Sequence, residues 1–159
     1  MANMHAVVRS LLIPIHGGQL LLPSAVVAEV TAYTPPDIIA DTQPDWLLGV
    51  VTWRNQHVPL LSIEQVLGLP VASVTEDARI VVLYGLESPQ TMPFYAFIAS
   101  DIPSALVVNE ESLTGTTGGD KQKGLVFSVT TTEHNNAFLP DLTYLENLLR
   151  KSQVVAHLS

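Results

Sequence analysis

The sequence predicts a mainly β protein built as two small barrels side by side. Its apolar segments are short, mostly five to nine residues, and rich in Val, Ile and Leu, as is typical of strands. Eleven prolines and nine glycines are spread along the 159 residues, so few windows can hold a long helix. Similar numbers of strands fall in each half of the chain. Two barrels that share a core bury more surface than a single barrel of about 65 residues.

The first half of the chain is predicted to form five strands, and its turns have a clear local signal. The predicted strands are Val7–Ile15, Leu20–Leu22, Glu29–Tyr33, Trp46–Trp53 and His57–Leu61. Gly17 and Gly18 turn the first strand back, because glycine accepts positive φ at little cost. We expect a short helix over 25–28. We also expect a left-handed Asn55 between the last two strands.

A second short helix follows these strands, and a linker then leads into the second half. Ser62 and Gln65 have the spacing of a capping box, and Gly68 is placed to end the helix. The segment Val71–Asp77 is small and polar, which is typical of a linker.

The second half is predicted to contain further strands and a C-terminal helix. The predicted strands are Arg79–Tyr84, Pro93–Ala99, Ile102–Val108, Leu125–Thr132 and Ala137–Leu139. The Gly- and Thr-rich segment Thr114–Lys123 is predicted to be a loop. Asp141 is placed to cap the helix, and Arg150 and Lys151 lie at its C-terminal end, where the helix dipole favours cations. The helix has an apolar face formed by Leu142, Leu145, Leu148 and Leu149.

The composition excludes several functional classes. Acidic residues outnumber basic ones 15 to 7, for a net charge of −8, whereas nucleic-acid binding requires Lys and Arg at phosphates. The absence of cysteine excludes disulfides, thiol catalysis and cysteine metal ligands. No apolar run reaches the roughly 20 residues of a membrane span, and the first ten residues show no signal-peptide pattern. We therefore expect a cytoplasmic protein with no direct membrane insertion and no nucleic-acid partner.

Residues that could carry catalysis are few and scattered. No two of the five histidines have the spacing of helical metal ligands, and no Gly-x-Ser-x-Gly elbow is present. The segment 115–121 differs from a phosphate-binding loop because Asp120 precedes Lys121 and no helix is predicted to follow. These absences count against an enzyme and against a metal site, but they do not exclude an enzyme, since catalytic groups need not be close in sequence.

Two charged residues stand out against this apolar background. Arg54 is the only Lys or Arg between Arg9 and Arg79, and it directly follows an apolar strand. It is either a solvated turn cation or an interface arginine, since arginine is enriched at binding hot spots. Glu29, the single acid after the apolar run Leu20–Ala28, is open to the same two interpretations.

The segment that contains Arg54 resembles the central signature of CheW-like domains. Residues 49–63, GVVTWRNQHVPLLSI, are similar to the family pattern G-V-x-N-L-R-G-x-x-V-P-V-I-D-L. Residues 20–30, LLLPSAVVAEV, are similar to Y-A-I-P-I-x-x-V-x-E-V, and the resemblance extends over roughly 6–151. Asn55 stands where the family has Gly, and Ser62 where it has Asp; both substitutes preserve the local geometry. Trp53 is bulkier than the usual Leu.

The resemblance implies a fold and a function. The fold is a single CheW-like domain over 6–152, formed by two five-stranded SH3-like barrels around a shared apolar core. The barrels would span about 6–70 and 78–140, followed by a C-terminal helix at 141–151. The function is that of a non-enzymatic signalling adaptor with no catalytic residue, no cofactor and no metal site. It would couple the cytoplasmic tip of methyl-accepting chemoreceptors to the regulatory domain of a CheA-type histidine kinase. Val27, Glu29 and Arg54 match family positions that contact receptor or kinase.

Divergence from the common signature favours an auxiliary CheW-like protein of a type IV pilus chemosensory system. The alternative from another functional class is a small-ligand-binding or hydrolytic SH3-like barrel. That function would require a deep polar cleft with convergent titratable groups. The candidate residues for such a cleft are His57, Glu29, Asp101 and His134.

Overall fold

The computed structural model describes residues 8–39, 43–108, 113–115, 125–131, 136–152 and 158. The strands are β1 (Val8–Ile15), β2 (Gly18–Pro23), β3 (Val27–Ala32), β4 (Leu47–Trp53), β5 (Gln56–Leu61), β6 (Arg79–Tyr84), β7 (Phe94–Ala99), β8 (Ser104–Val108), β9 (Leu113–Gly115), β10 (Leu125–Thr131) and β11 (Asn136–Pro140). The helices are α1 (Ile63–Leu67) and α2 (Leu142–Lys151), and a single 3₁₀ turn covers Ser24–Val26. The prediction of a mainly β fold is confirmed.

The turn and cap residues adopt the conformations that the sequence predicts. Gly17 has φ 92°, and Asn55 has φ 63° in the β4–β5 turn. The Ser62 hydroxyl accepts a hydrogen bond from the Gln65 amide at 3.3 Å. Gly68 is left-handed at the C-terminal end of α1. The reciprocal half of a capping box does not form, because the Ser62 amide donates instead to the carbonyl oxygen of Trp46 at 2.7 Å.

Two local predictions are corrected by strand pairing. The expected helix over 25–28 is a 3₁₀ turn that ends at Val26, because Val27 already pairs with Leu83 of β6. Thr114 and Gly115, predicted to begin a loop, belong to β9 and pair with β10. In both places, hydrogen bonds to a neighbouring strand override the local preference. The rest of the predicted loop, 116–123, lies outside the described residues.

The two sheets do not follow the two halves of the chain. One sheet has the strand order β8-β1-β2-β11-β10-β9, and the other has the order β3-β6-β7-β5-β4. The parallel pairs β2–β11 and β5–β7 join early strands to late ones. The predicted division into barrels at about 6–70 and 78–140 therefore does not match the sheets, one of which has six strands rather than five. The position of each strand in a sheet is set by its register and its buried faces, and not by its order in the sequence.

The main apolar core lies between the two sheets and is covered by the helices. We call it the shared core. Its buried members include Ile13, Ile15, Leu20 and Leu22 of the first sheet, Val81, Leu83, Tyr95 and Phe97 of the second, and Leu145 and Leu149 of α2. The predicted core common to both sheets is therefore confirmed.

The five-stranded sheet buries its second face as well. Along β6, Val81 and Leu83 belong to the shared core, whereas Ile80 and Val82 belong to a separate cluster on the opposite face. We call this cluster the inner core, and its buried members are Val51, Trp53, Val58, Leu60, Ile80, Val82 and Ala96. Because β4, β5, β6 and β7 all contribute to it, the sheet must curl around its own side chains, as SH3-like sheets do.

The curled sheet stays open between its terminal strands. Among the described residues, β3 and β4 pair with neighbours on one side only, so hydrogen bonds do not close the expected barrel. A short bridge covers part of β4: the amides and carbonyls of Asp37 and Val50 exchange hydrogen bonds of 2.8 and 2.9 Å. Gly49, with φ 139°, permits this approach, since a Cβ there would lie 2.1 Å from the carbonyl oxygen of Asp37.

Candidate protein-interaction site

The β4–β5 turn presents Arg54 at the end of the five-stranded sheet. Arg54 and Asn55 both have positive φ, 47° and 63°, which is the conformation of the type I′ turns that fit twisted strands. A left-handed arginine costs about 1 kcal/mol, so the tight turn imposes on Arg54 a backbone conformation that arginine disfavours. Its side chain is 65% exposed. Its guanidinium carbon lies 4.7 Å from the centroid of the Trp53 ring, a cation–π contact.

Glu29 lies on the opposite terminal strand and contacts this arginine. A register shift in β3 between Val27 and Glu29 interrupts the pairing with β6. An Arg54 terminal nitrogen donates to Glu29 Oε1 at 2.6 Å, and the Glu29 side chain is 33% exposed. The ion pair thus spans the opening between β3 and the β4–β5 turn. Ion pairs with this exposure contribute about 0.5 kcal/mol, so the pair orders the surface more than it stabilises the fold.

The structure brings together two of the three predicted interface residues and places the third differently. Glu29 and Arg54 are in contact, and within the described part of the chain the other guanidinium nitrogens of Arg54 donate to no acceptor. Val27 lies on the same strand as Glu29, but it is half-buried and contacts the shared core. An exposed Arg54 remains available to a partner, although Glu29 engages one of its nitrogens.

A row of aromatic side chains continues this surface. The Trp53 ring contacts Phe94 edge-on at a centroid distance of 4.8 Å, and Phe94 lies 5.7 Å from Tyr84. Tyr84 is 44% exposed. Sequence reasoning did not predict this row, because Phe94 and Tyr84 become neighbours only through β6–β7 pairing. The one available signal was Trp53, at a position where the resembled signature has Leu.

A buried carboxylate fixes the loop that follows Tyr84. Glu146 of α2 is 1% exposed. It accepts hydrogen bonds from the Leu86 amide, at 2.9 and 3.1 Å, and from the Glu87 amide at 2.9 Å. The predicted apolar face of α2 therefore contains a charged residue, whereas Leu142 and Leu148 are only half-buried. The sequence did carry a signal, since Glu146 lies between Leu142 and Leu149 at helical spacing.

Tyr95 lies beside this carboxylate in the shared core. Burial raises the pKa of the Tyr95 hydroxyl well above its ordinary value of 10, and the negative charge of Glu146 raises it further. The hydroxyl forms no hydrogen bond of good geometry with any described residue. Tyr95 is therefore neutral at physiological pH and fills space in the core.

A cleft beside the β4–β5 turn does not have the composition of a hydrolytic site. It measures about 480 Å³ and is bordered mainly by Asn55, Gln56, His57, Gln90 and Thr91. Of the four residues considered for a catalytic cleft, it contains His57. Neither Glu29 nor Asp101 borders it, and His134 lies outside the described residues. Among the described residues, no group of three His, Asp or Glu side chains could hold a metal ion.

A comparison with protein-family models agrees with this fold and signature. The model described as "CheW-like domain" matches residues 9–149. The chain belongs to the CheW-like domain family. The resemblance carried by residues 20–30 and 49–63 is thereby confirmed.

Solved structures give the same fold for this CheW-like protein. The scaffolding protein TtCheW from Thermoanaerobacter tengcongensis superposes with a TM-score of 0.71 at 14% sequence identity, covering 87% of this chain and 90% of that one. A search of curated protein sequences gives no significant match. The described residues contain no helix long and apolar enough to cross a membrane.

Proposed function

We propose that this CheW-like protein is a non-enzymatic signalling adaptor that couples chemoreceptors to a CheA-type histidine kinase. The observation that carries the proposal is family membership over nearly the whole chain. The exposed Glu29–Arg54 pair supports it, since the resemblance assigns both residues to receptor or kinase contacts. We propose that the protein works in the cytoplasm as a single domain over about 6–152. Its partners are the kinase regulatory domain and the receptor tip.

The composition of the surface supports a protein partner. An arginine held on a tryptophan, an adjacent acid and exposed aromatic carbon are typical of binding hot spots. Arg54 is fixed by a tight turn, the Trp53 ring and Glu29, so little side-chain entropy remains to be lost on binding. We expect an interface that buries about 1,200 to 2,000 Å² in total.

Divergence of the signature is the ground for a narrower proposal. Trp53, Asn55 and Ser62 depart from the common family pattern, and each is accommodated locally in this structure. We propose that the protein serves a type IV pilus chemosensory system and thus twitching motility. Loss of twitching, with swimming unaffected, in a deletion strain would support this assignment; the reverse pattern would contradict it.

Binding of the kinase regulatory domain tests the adaptor function and the site together. We expect Arg54→Ala and Glu29→Arg each to weaken binding by at least about ten-fold, as loss of a hot-spot residue does. Folding, followed by circular dichroism, should be retained. Arg9→Ala removes an exposed arginine from the other sheet and is the matched control. Unchanged affinity in both site variants would refute the site assignment.

A charge swap separates recognition from simple bridging of the two strands. The double variant Glu29→Arg with Arg54→Glu can re-form an ion pair with the charges exchanged. If Arg54 recognises the partner, the swap should bind as weakly as the single variants. Restored binding would show that the pair acts only by holding β3 near the β4–β5 turn, and would contradict a recognition role.

A further inference from the structure

The cleft beside the β4–β5 turn adjoins the arginine that is predicted to recognise a partner. We call it the turn cleft. Its described lining residues come from the turn and β5, from the segment between β6 and β7, and from a residue that follows α2 in the sequence: Asn55, Gln56, His57, Gln90, Thr91, Pro93 and Leu158. Arg54 does not line the turn cleft, but Asn55 is the next residue of the same turn.

Leu158 contributes apolar surface to this otherwise polar cleft. It is half-buried and packs against the shared core. Of the described lining residues, Leu158 and Pro93 have side chains without a polar atom, and the rest are amides, a hydroxyl and an imidazole. Leu158 thus marks a place in the turn cleft where an apolar side chain reaches the shared core.

A folded partner that recognises Arg54 must also cover the turn cleft. Hot-spot residues lie near the centre of an interface, and a folded domain covers about 800 Å² of its partner's surface. A round area of that size extends about 16 Å from its centre, whereas the Cα atoms of adjacent residues lie about 3.8 Å apart. The exposed residues Asn55 and Gln56 therefore lie inside the interface expected around Arg54. Leu158 borders the same cleft, so the partner meets it.

Leu158 and an apolar side chain of the partner would use the same place. Interface anchors are large side chains that fill pockets and exclude water, and in the turn cleft Leu158 already makes the contact with the shared core. A half-buried leucine contributes only part of the free energy of a fully buried one, so a partner can displace it. Until it is displaced, the apparent affinity is reduced by the fraction of molecules in which the place is open.

We propose that Leu158 is an intramolecular competitor, which occupies the place in the turn cleft that an apolar side chain of the kinase regulatory domain takes when that domain binds at Arg54. The inference rests on the proposed adaptor function and adds an autoinhibitory contact to it. Binding then exchanges one apolar side chain for another against the shared core, while Arg54 supplies the charged contact.

Substitution of Leu158 tests the competition. Leu158→Ala should strengthen binding of the kinase regulatory domain by about five-fold, as expected when a half-buried leucine no longer competes. Titration calorimetry measures the affinity, and circular dichroism checks the fold. Leu106→Ala is the matched control, because Leu106 is also half-buried but packs against a separate cluster in the first sheet. Unchanged or weaker binding by Leu158→Ala would refute the proposal.

A covalent link tests whether the partner enters the turn cleft. The chain contains no cysteine, so a short bismaleimide can join the two thiols of the double variant Gln90→Cys with Leu158→Cys. The linked protein should bind the kinase regulatory domain at least ten-fold more weakly than the same variant without the link. Equal affinities would show that the partner does not use the turn cleft, and failure to form the link would contradict the position of Leu158.

The outcomes separate this inference from the function on which it rests. If the wild-type protein and Leu158→Ala bind the kinase regulatory domain equally, the competition is wrong and the adaptor function stands. If neither of them binds it, the adaptor function is wrong and the inference falls with it. Should Leu158→Ala fold poorly, the linked and unlinked forms of the double variant still decide.

Discussion

Removal of the Glu146 carboxylate should destabilise the protein more than most single substitutions. Two backbone amides, of Leu86 and Glu87, donate to this carboxylate. Hydrogen bonds to a charged acceptor contribute about 1.5 to 3 kcal/mol each, so two of them contribute about 3 to 6 kcal/mol. Because the Leu86 and Glu87 side chains are exposed, water can reach part of this loop. We therefore expect the lower end, about 3 kcal/mol, for Glu146→Ala.

The substitution Glu146→Gln should cost about half as much. Its one remaining oxygen can accept from both amides, but it carries no charge. Its NH₂ group would replace the oxygen that lies 3.1 Å from the Leu86 amide, which places two donors face to face.

Urea unfolding at pH 7, followed by circular dichroism, measures these losses as a lower midpoint at an unchanged m-value. Glu64→Ala is the matched control. Glu64 also accepts from a backbone amide, that of His16 at 2.9 Å, but at an exposed position, so its loss should cost only about 1 kcal/mol. If Glu146→Ala lowers the free energy of unfolding no more than Glu64→Ala does, the buried carboxylate does not hold the loop as argued.

Two further predictions concern the core and the backbone. The folded pKa of Tyr95 is raised above 10, so its stabilising contribution is complete below pH 10 and is lost as the pH rises through that higher value. Tyr95→Phe should therefore reduce the loss of stability that begins as the pH rises above about 10; urea midpoints that fall equally in both proteins above that pH would contradict this. Gly49→Ala should lower the melting temperature sharply, since its Cβ would lie 2.1 Å from the carbonyl oxygen of Asp37. Gly68→Ala, with φ 72° and open space, should cost about 1 kcal/mol; equal losses in the two alanine variants would refute the steric argument.

Residues that act on their immediate neighbours were predictable from the sequence. Ser62 caps α1, Gly17 turns β1 back, and Asn55 is left-handed, because each effect depends on a few adjacent backbone groups. The same holds for the position of Arg54 at the β4–β5 turn. The exposure of Arg54 follows from its place in a tight turn after an apolar strand. The sequence could therefore predict an exposed cation at this turn, but not its contact with Glu29.

Residues whose roles depend on distant strands were not predictable. Glu29 and Arg54 are 25 residues apart and meet because the five-stranded sheet curls. Val27 is drawn toward the shared core by the same pairing. Helical spacing places Glu146 on the buried face of α2, but it does not reveal the amide donors of Glu146, which lie in the loop after β6 about 60 residues earlier.

The sequence by itself determined the β character, the turns, the caps and the family signature, since periodicity and cap chemistry act over a few residues. Tertiary structure alone decided that β6 and β7 join β3, β4 and β5 while β1 and β2 join the strands from β8 onward. It also decided that, among the described residues, the five-stranded sheet stays open between β3 and β4. The physical reason is that the order of these strands depends on burying both faces of the sheet at once. Alternating residues of β6 show this, because they contribute in turn to the shared core and to the inner core.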